Sequence, residues 1–207
     1  MADVAERRAT YADMEALPPH VTGEILFAAF CTRGRTARQR GDAASALSAL
    51  MTNAYQLGIG GSVGWTFIVE PALHLSEHVI VPDIAAWRNV NVTEPATQAH
   101  CSVAPDWACE ITSPGTEQRD RALKRRIFAT FGVGHLWFVD PRSRIVEAFE
   151  LRDGAYSLLE TFTGDVDVSA APFGECSFDL DLLWPFDKPS QPSDRHPALH
   201  TESAYAH

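Results

Sequence analysis

The chain has 207 residues, 45% of them hydrophobic and 21% charged, with a formal net charge of −10 at pH 7. That is long enough to bury one substantial core, and the negative balance argues against a protein that coats nucleic acid by bulk electrostatics. There is neither an apolar run of about 18 residues nor an apolar leader core, so the expectation is a cytoplasmic protein that stays out of membranes.

Tyr11 to Leu17 reads as a short helix closed by Pro18 and Pro19, and Glu24 to Cys31 as a strand, with a helical turn as the other reading. An arginine-rich loop follows. Asp42 opens an amphipathic helix to about Leu57, which the glycine-rich Gly58 to Gly64 ends as a cap and turn. That stretch is no phosphate loop, because it follows a helix instead of opening one and no Lys-Ser or Lys-Thr comes after it. Trp65 to Glu70, Ala72 to Leu75 and Val79 to Trp87 have strand composition, and Arg88 to Ala104 reads as a surface loop.

Asp106 to Asp140 reads as strand, capped helix, strand. Asp106 to Thr112 is short, apolar and bounded by Pro105 and Pro114. Thr116 is the expected N-cap, and Gly132 sits at the left-handed C-cap position of a helix over about Glu117 to Phe131. Ile145 to Leu151 alternates, and Asp153-Gly154 is a two-residue hairpin signal into Ala155 to Phe162, predicting two exposed-edge strands. Cys176 to Trp184 is a last apolar piece expected to dock on the core. From Asp187 the composition predicts a disordered tail, which leaves one domain over residues 1–186.

Lysine is scarce: Lys124 and Lys188 stand against fifteen arginines. Helical periodicity puts Lys124 on one stripe with Asp120, Ile127, Phe128 and Phe131. Two readings follow. One is an intrahelical pair with Asp120 at i,i+4, worth a few tenths of a kcal/mol; in the other, Lys124 reaches a carboxylate on the strand beneath, with Glu110 the obvious partner. Glu24, Glu70, Asp83 and Glu110 all lie in otherwise apolar strand segments, where an acid needs a partner or a metal to be buried. Pro82 precedes Asp83, and a proline in a strand marks an edge or bulge from which a side chain can be aimed outward.

Asp83 and Glu110 would suit a hard divalent cation, Mg²⁺ or Mn²⁺, with the lysine stabilising charge at phosphorus. That constellation fits phosphodiester hydrolysis and other metal-assisted chemistry alike. Elsewhere less is indicated. His74 and His78 lie too far apart along a strand for one zinc ion, and His20, His100 and His135 stand alone. Cys31, Cys101, Cys109 and Cys176 form no CxxC pair, so neither zinc nor a disulfide framework is expected, only reduced and mostly buried thiols. Two basic runs, Arg33, Arg35, Arg38, Arg40 and Arg119, Arg121, Lys124, Arg125, Arg126, read first as solvated faces and second, if they share a face, as a phosphate grip.

The segments VPDIAAWR, PDWACEITSPGT, then Asp120, Lys124 and GVGHLWFVDP, with GEIL, VEPALHL and LLWPF, resemble the Uma-two family of bacterial restriction-endonuclease-like proteins, within the PD-(D/E)XK nuclease superfamily. The resemblance spans roughly Leu17 to Phe186. It implies an α/β fold with a mixed central β-sheet flanked by helices, to which the hairpin is added. It also implies an endonuclease acting on nucleic acid, DNA first, with Mg²⁺ or Mn²⁺ on Asp83 and Glu110. Lys124 would be the catalytic lysine moved from the strand, where Thr112 stands, onto the next helix, and Glu24 a supporting acid. After Glu24 the chain departs from the family pattern: Arg40 stands about where a histidine is expected. The other reading is an inert nucleic-acid or protein-binding module that kept the fold. A homodimer through the hairpin edge is a weaker expectation.

Overall fold

The computed structural model describes residues 9–19, 21–34, 38–92 and 100–185. Arg35, His20 and the predicted tail lie outside them. The architecture is a mixed α+β one, built on a six-stranded sheet in the order β10-β9-β8-β7-β6-β3. These strands are β3 (Trp65–Val69), β6 (Ile84–Arg88), β7 (Trp107–Ile111), β8 (His135–Asp140), β9 (Ile145–Arg152) and β10 (Ala155–Thr163). Only β7 and β8 run parallel, joined by the predicted crossover helix. A four-stranded sheet, β2-β1-β5-β4, contains β1 (Val21–Leu26), β2 (Ala29–Gly34), β4 (Leu73–Leu75) and β5 (His78–Ile80).

β7 and β8 are buried on both faces, as an apolar strand in a parallel pair should be. Trp107, Cys109, Ile111, Trp137 and Val139 pack with Ala43, Leu47 and Met51 of α2 (Arg38–Met51) and with Phe173. Ala108, Leu136 and Phe138 point the other way, to Ile127 and Phe128 of α4 (Arg125–Thr130) and to Leu26 and Ile80 of the smaller sheet. Successive strand residues alternate faces, so Glu110 shares the second face with Ala108. The late apolar piece docks as expected: β12 (Phe178–Asp179), paired with β11 (Asp167–Val168), leads into a 3₁₀ turn that buries Leu180 and Leu183, with Trp184 beside them.

Several boundaries differ from the sequence reading. Glu24 to Cys31 is a hairpin, not one strand: Phe27 and Ala28 form a two-residue turn with φ of 50° and 63°, and Leu26 pairs with Ala29. Arg33 therefore sits on β2 instead of in a loop. Helix α2 starts at Arg38, before Asp42, so Arg40 is helical; beyond Met51 it continues as a π turn over Thr52–Gln56. Val79 to Trp87 is broken at Val81–Asp83, which sends β5 and β6 to different sheets. The predicted hairpin forms across Asp153-Gly154, but only β10 is an edge, since β9 lies between β8 and β10.

The crossover helix is α3 (Glu117–Arg119), a π turn over Asp120–Lys124, and α4, with Gly132 closing it at φ 75°. Thr116 makes no side-chain capping bond; its hydroxyl lies 3.1 Å from that of Ser113.

Candidate active site

Asp83 stands at the break between β5 and β6. Ile84 pairs with Cys109, so one further step of the antiparallel register sets Asp83 opposite Glu110. Both are buried, 3% and 0% exposed. The Asp83 carboxylate accepts the amide of Ile111 at 2.7 Å, which fixes it to the end of β7.

Lys124 arrives from the crossover helix and is itself fully buried. The π turn keeps Asp120 and Lys124 both on the inner side, with Asp120 Oδ1 3.4 Å from the ammonium. Its shortest ion pairs are to Glu24 Oε1 of β1 and Glu110 Oε2 of β7, each at 2.9 Å; it also donates to Glu110 Oε1 at 3.0 Å and to the carbonyl of Val81 at 3.2 Å. Both sequence readings of Lys124 are thus realised at once, the strand carboxylate at the shorter distance. Glu24 is fixed in turn by the amide of Val81, which donates to Oε1 at 2.9 Å. Burial opposes the charge on Lys124, but Glu110, Glu24 and Asp120 outweigh it, so the ammonium holds its proton more tightly than an ordinary lysine.

The sequence reading did not place arginines in this centre. Arg33 and Arg40, 6% and 3% exposed, are not solvated. Arg33 donates to Asp83 Oδ1 at 3.0 Å and to the exposed Glu70 at 3.0 Å. Arg40 approaches Asp83 in bidentate fashion, Nη2 lying 2.7 Å from Oδ2 and Nε 3.1 Å from Oδ1. Burial pushes the Asp83 carboxyl up to about 6, against the pull of Arg33, Lys124 and the Ile111 amide. Arg119 lies 3.6 Å from Glu24 Oε2 and 3.7 Å from Asp120 Oδ1.

The second basic run does not form one phosphate grip either. Arg121 pairs with Glu147, Arg125 lies over the Phe149 ring and donates to the carbonyl of Tyr156, and Arg126 covers Phe27. The one sequence signal for the internal arginines was Arg40 at the place where the family pattern expects histidine.

Among the described residues, the histidines stay apart from the centre. His74 stacks on His100 at 4.1 Å, and His78 accepts the amide of Phe27. The four cysteines are free thiols, of which only Cys109 is fully buried.

Asp83 and Glu110 have the oxygen chemistry a hard cation selects, but their arrangement does not fit one. Every carboxylate oxygen of the pair already accepts from Arg33, Arg40, Lys124 or the Ile111 amide. Among the described residues, no three His, Cys, Asp or Glu side chains are grouped to hold a metal ion.

A sequence profile described as "Uma2: Putative restriction endonuclease" matches residues 17–182. The chain belongs to this family. Uma2 membership agrees with a solved structure that superposes on the chain with a TM-score of 0.66 at 16% identity, covering 79% of this chain and 90% of that one. It is described as a "putative nuclease belonging to DUF820 from Anabaena variabilis ATCC 29413", and at that identity the likeness shows the fold. Among curated proteins nothing matches. The chain is thus a nuclease-like Uma2 protein, and among its described residues no helix is long and apolar enough to cross a membrane.

Proposed function

We propose that this Uma2 protein is a cytoplasmic endonuclease that hydrolyses phosphodiester bonds of nucleic acid, DNA first, at a centre made of Asp83, Glu110 and Lys124 with Glu24 in support. The observation that carries this reading is the convergence of an acid immediately before β6 and an acid on the neighbouring β7 with the ammonium of the crossover helix. Lys124 acts by fixed charge and position and not as a base, because its proton is held by three carboxylates. Once a guanidinium moves aside and frees a lone pair, Asp83 is the group to take a proton from the attacking water as the water oxygen bonds to phosphorus and the ester oxygen leaves, to be protonated by solvent. A Mg²⁺ or Mn²⁺ ion could join Asp83 and Glu110 only where the charge of Arg33 and Arg40 has been removed.

A second reading, an inert binding module that kept the fold, is favoured by one observation. The acids and Lys124 are buried and paired, Glu110 with Lys124 and Asp83 with Arg33 and Arg40, with no carboxylate oxygen of Asp83 or Glu110 left open.

Nicking of supercoiled plasmid in Mn²⁺ or Mg²⁺ at low salt, beside Asp83→Ala and Lys124→Ala prepared identically, decides between them. Cleavage by the parent that both variants lose is the expected result. Equal cleavage by all three places the activity elsewhere, and a parent that binds duplex DNA without cutting it establishes the inert module.

A further inference from the structure

The buried centre carries four carboxylates, those of Glu24, Asp83, Glu110 and Asp120, and its charge is met by Lys124, Arg33 and Arg40, with Arg119 at the rim. Lys124 serves Glu24, Glu110 and Asp120. Asp83 is served by the two arginines.

A carboxylate has about four lone-pair directions. Asp83 accepts from Arg33 Nη1, Arg40 Nε, Arg40 Nη2 and the Ile111 amide, so none is left over. An ion reaching Asp83 would have to displace a guanidinium and would meet a second positive charge beside it. The arginines also come from well-anchored elements: Arg33 from β2, tied at its other end to Glu70, and Arg40 from the first turns of α2.

We infer that Arg33 and Arg40 are a built-in counter-ion that excludes divalent cations from the Asp83–Glu110 pair. The inference rests on reading that pair as the reacting centre. It makes the arginines specificity-determining: they set whether the acids face a metal or a guanidinium, and removing their charge opens a metal site that the wild-type chain lacks.

The test is Mn²⁺ binding, read by the electron paramagnetic resonance signal of the free ion, on full-length wild type, Arg40→Gln, the double variant Arg33→Gln with Arg40→Gln, and the double variant carrying Asp83→Asn as well. Glutamine keeps hydrogen-bonding capacity while removing the charge, and Arg40→Gln alone leaves Arg33 in place if the double variant fails to fold, which circular dichroism reports. The expected result is Mn²⁺ binding at least about tenfold tighter in the folded glutamine variants than in wild type, lost again with Asp83→Asn.

Wild-type protein that holds Mn²⁺ through Asp83 as tightly as the variants overturns the inference. So does a folded variant that gains nothing, or a gain that survives Asp83→Asn. The nuclease reading fails separately: variants that gain Mn²⁺ uphold the counter-ion whatever they do to plasmid, wild-type protein that leaves plasmid intact sinks the nuclease alone, and Mn²⁺ on wild-type Asp83 sinks the counter-ion alone.

Discussion

Lys124 is the residue on which the buried charge balances, because three carboxylates depend on one ammonium. Breaking a buried pair from one side costs more than the pair contributes, since the remaining charges are left uncompensated. Lys124→Met should therefore destabilise the protein by about 3 to 5 kcal/mol at pH 7, measured by urea denaturation. The deficit should shrink on acidification. Burial already pushes the Glu110 carboxyl well above its ordinary value, with Lys124 opposing. Without the ammonium, the folded variant binds a proton at a pH where the unfolded chain has released it, so its stability rises as pH falls from 7 toward 5. An equal deficit at both pH values would remove this account. Helical spacing reveals this much in the sequence, since Lys124 and Asp120 share a stripe and Asp83 follows a proline. It does not reveal Arg33 and Arg40. A guanidinium ends several bonds from its backbone, and nothing in an arginine run says whether those ends meet water or a carboxylate at a strand break 43 or 50 residues later.

At the scale of elements, the two hairpins make one turn geometry with unlike residues. Asp153 and Gly154 have φ of 50° and 78°, and Phe27 and Ala28 have 50° and 63°. Left-handed backbone costs an ordinary L-residue roughly 1 to 2 kcal/mol. Gly154→Ala meets no atom within 4 Å, so its cost is conformational alone, about 1 kcal/mol. Ala28→Gly should move stability the other way by a similar or smaller amount, part of the gain being offset by glycine's freedom in the unfolded chain. Opposite shifts of the urea midpoint would establish the pair; a loss in both would mean that the Phe27-Ala28 turn is held by its side chains. This contrast also explains the legibility of the fold. Asp-Gly announces its turn, while Phe-Ala in an apolar run does not, so β1 and β2 read as a single strand. In the same way Pro82 marks an edge or bulge within Val79 to Trp87 but does not say that the chain changes sheet there, which is decided by packing.

For the whole molecule, the net charge is −10, and among the described residues Arg33, Arg40 and Arg121 are engaged by acids of the chain itself. Binding of duplex DNA should accordingly be weak and carry a shallow salt dependence. With about −0.9 in log K per log salt for each phosphate contacted, a footprint of two to four phosphates gives a slope of roughly −2 to −4. Fluorescence anisotropy at several salt concentrations measures it, and a slope near −8 would reveal a basic face that this arrangement does not provide.

The network around Lys124 and Asp83 has a kinetic consequence. Its members meet across separations such as 43, 50 and 57 residues, and they bridge the smaller sheet, the larger sheet and the crossover helix. The bonds that tie the smaller sheet to the rest, Arg33 to Asp83 and Lys124 to Glu24, cannot close until both sheets have docked, so that part of the network belongs to the last step of assembly. Weakening it should hasten unfolding and leave the refolding rate nearly unchanged. The centre would then act as a time lock on the native state, and its age could be read from the exchange of the buried amides of Val81 and Ile111, which should be released together.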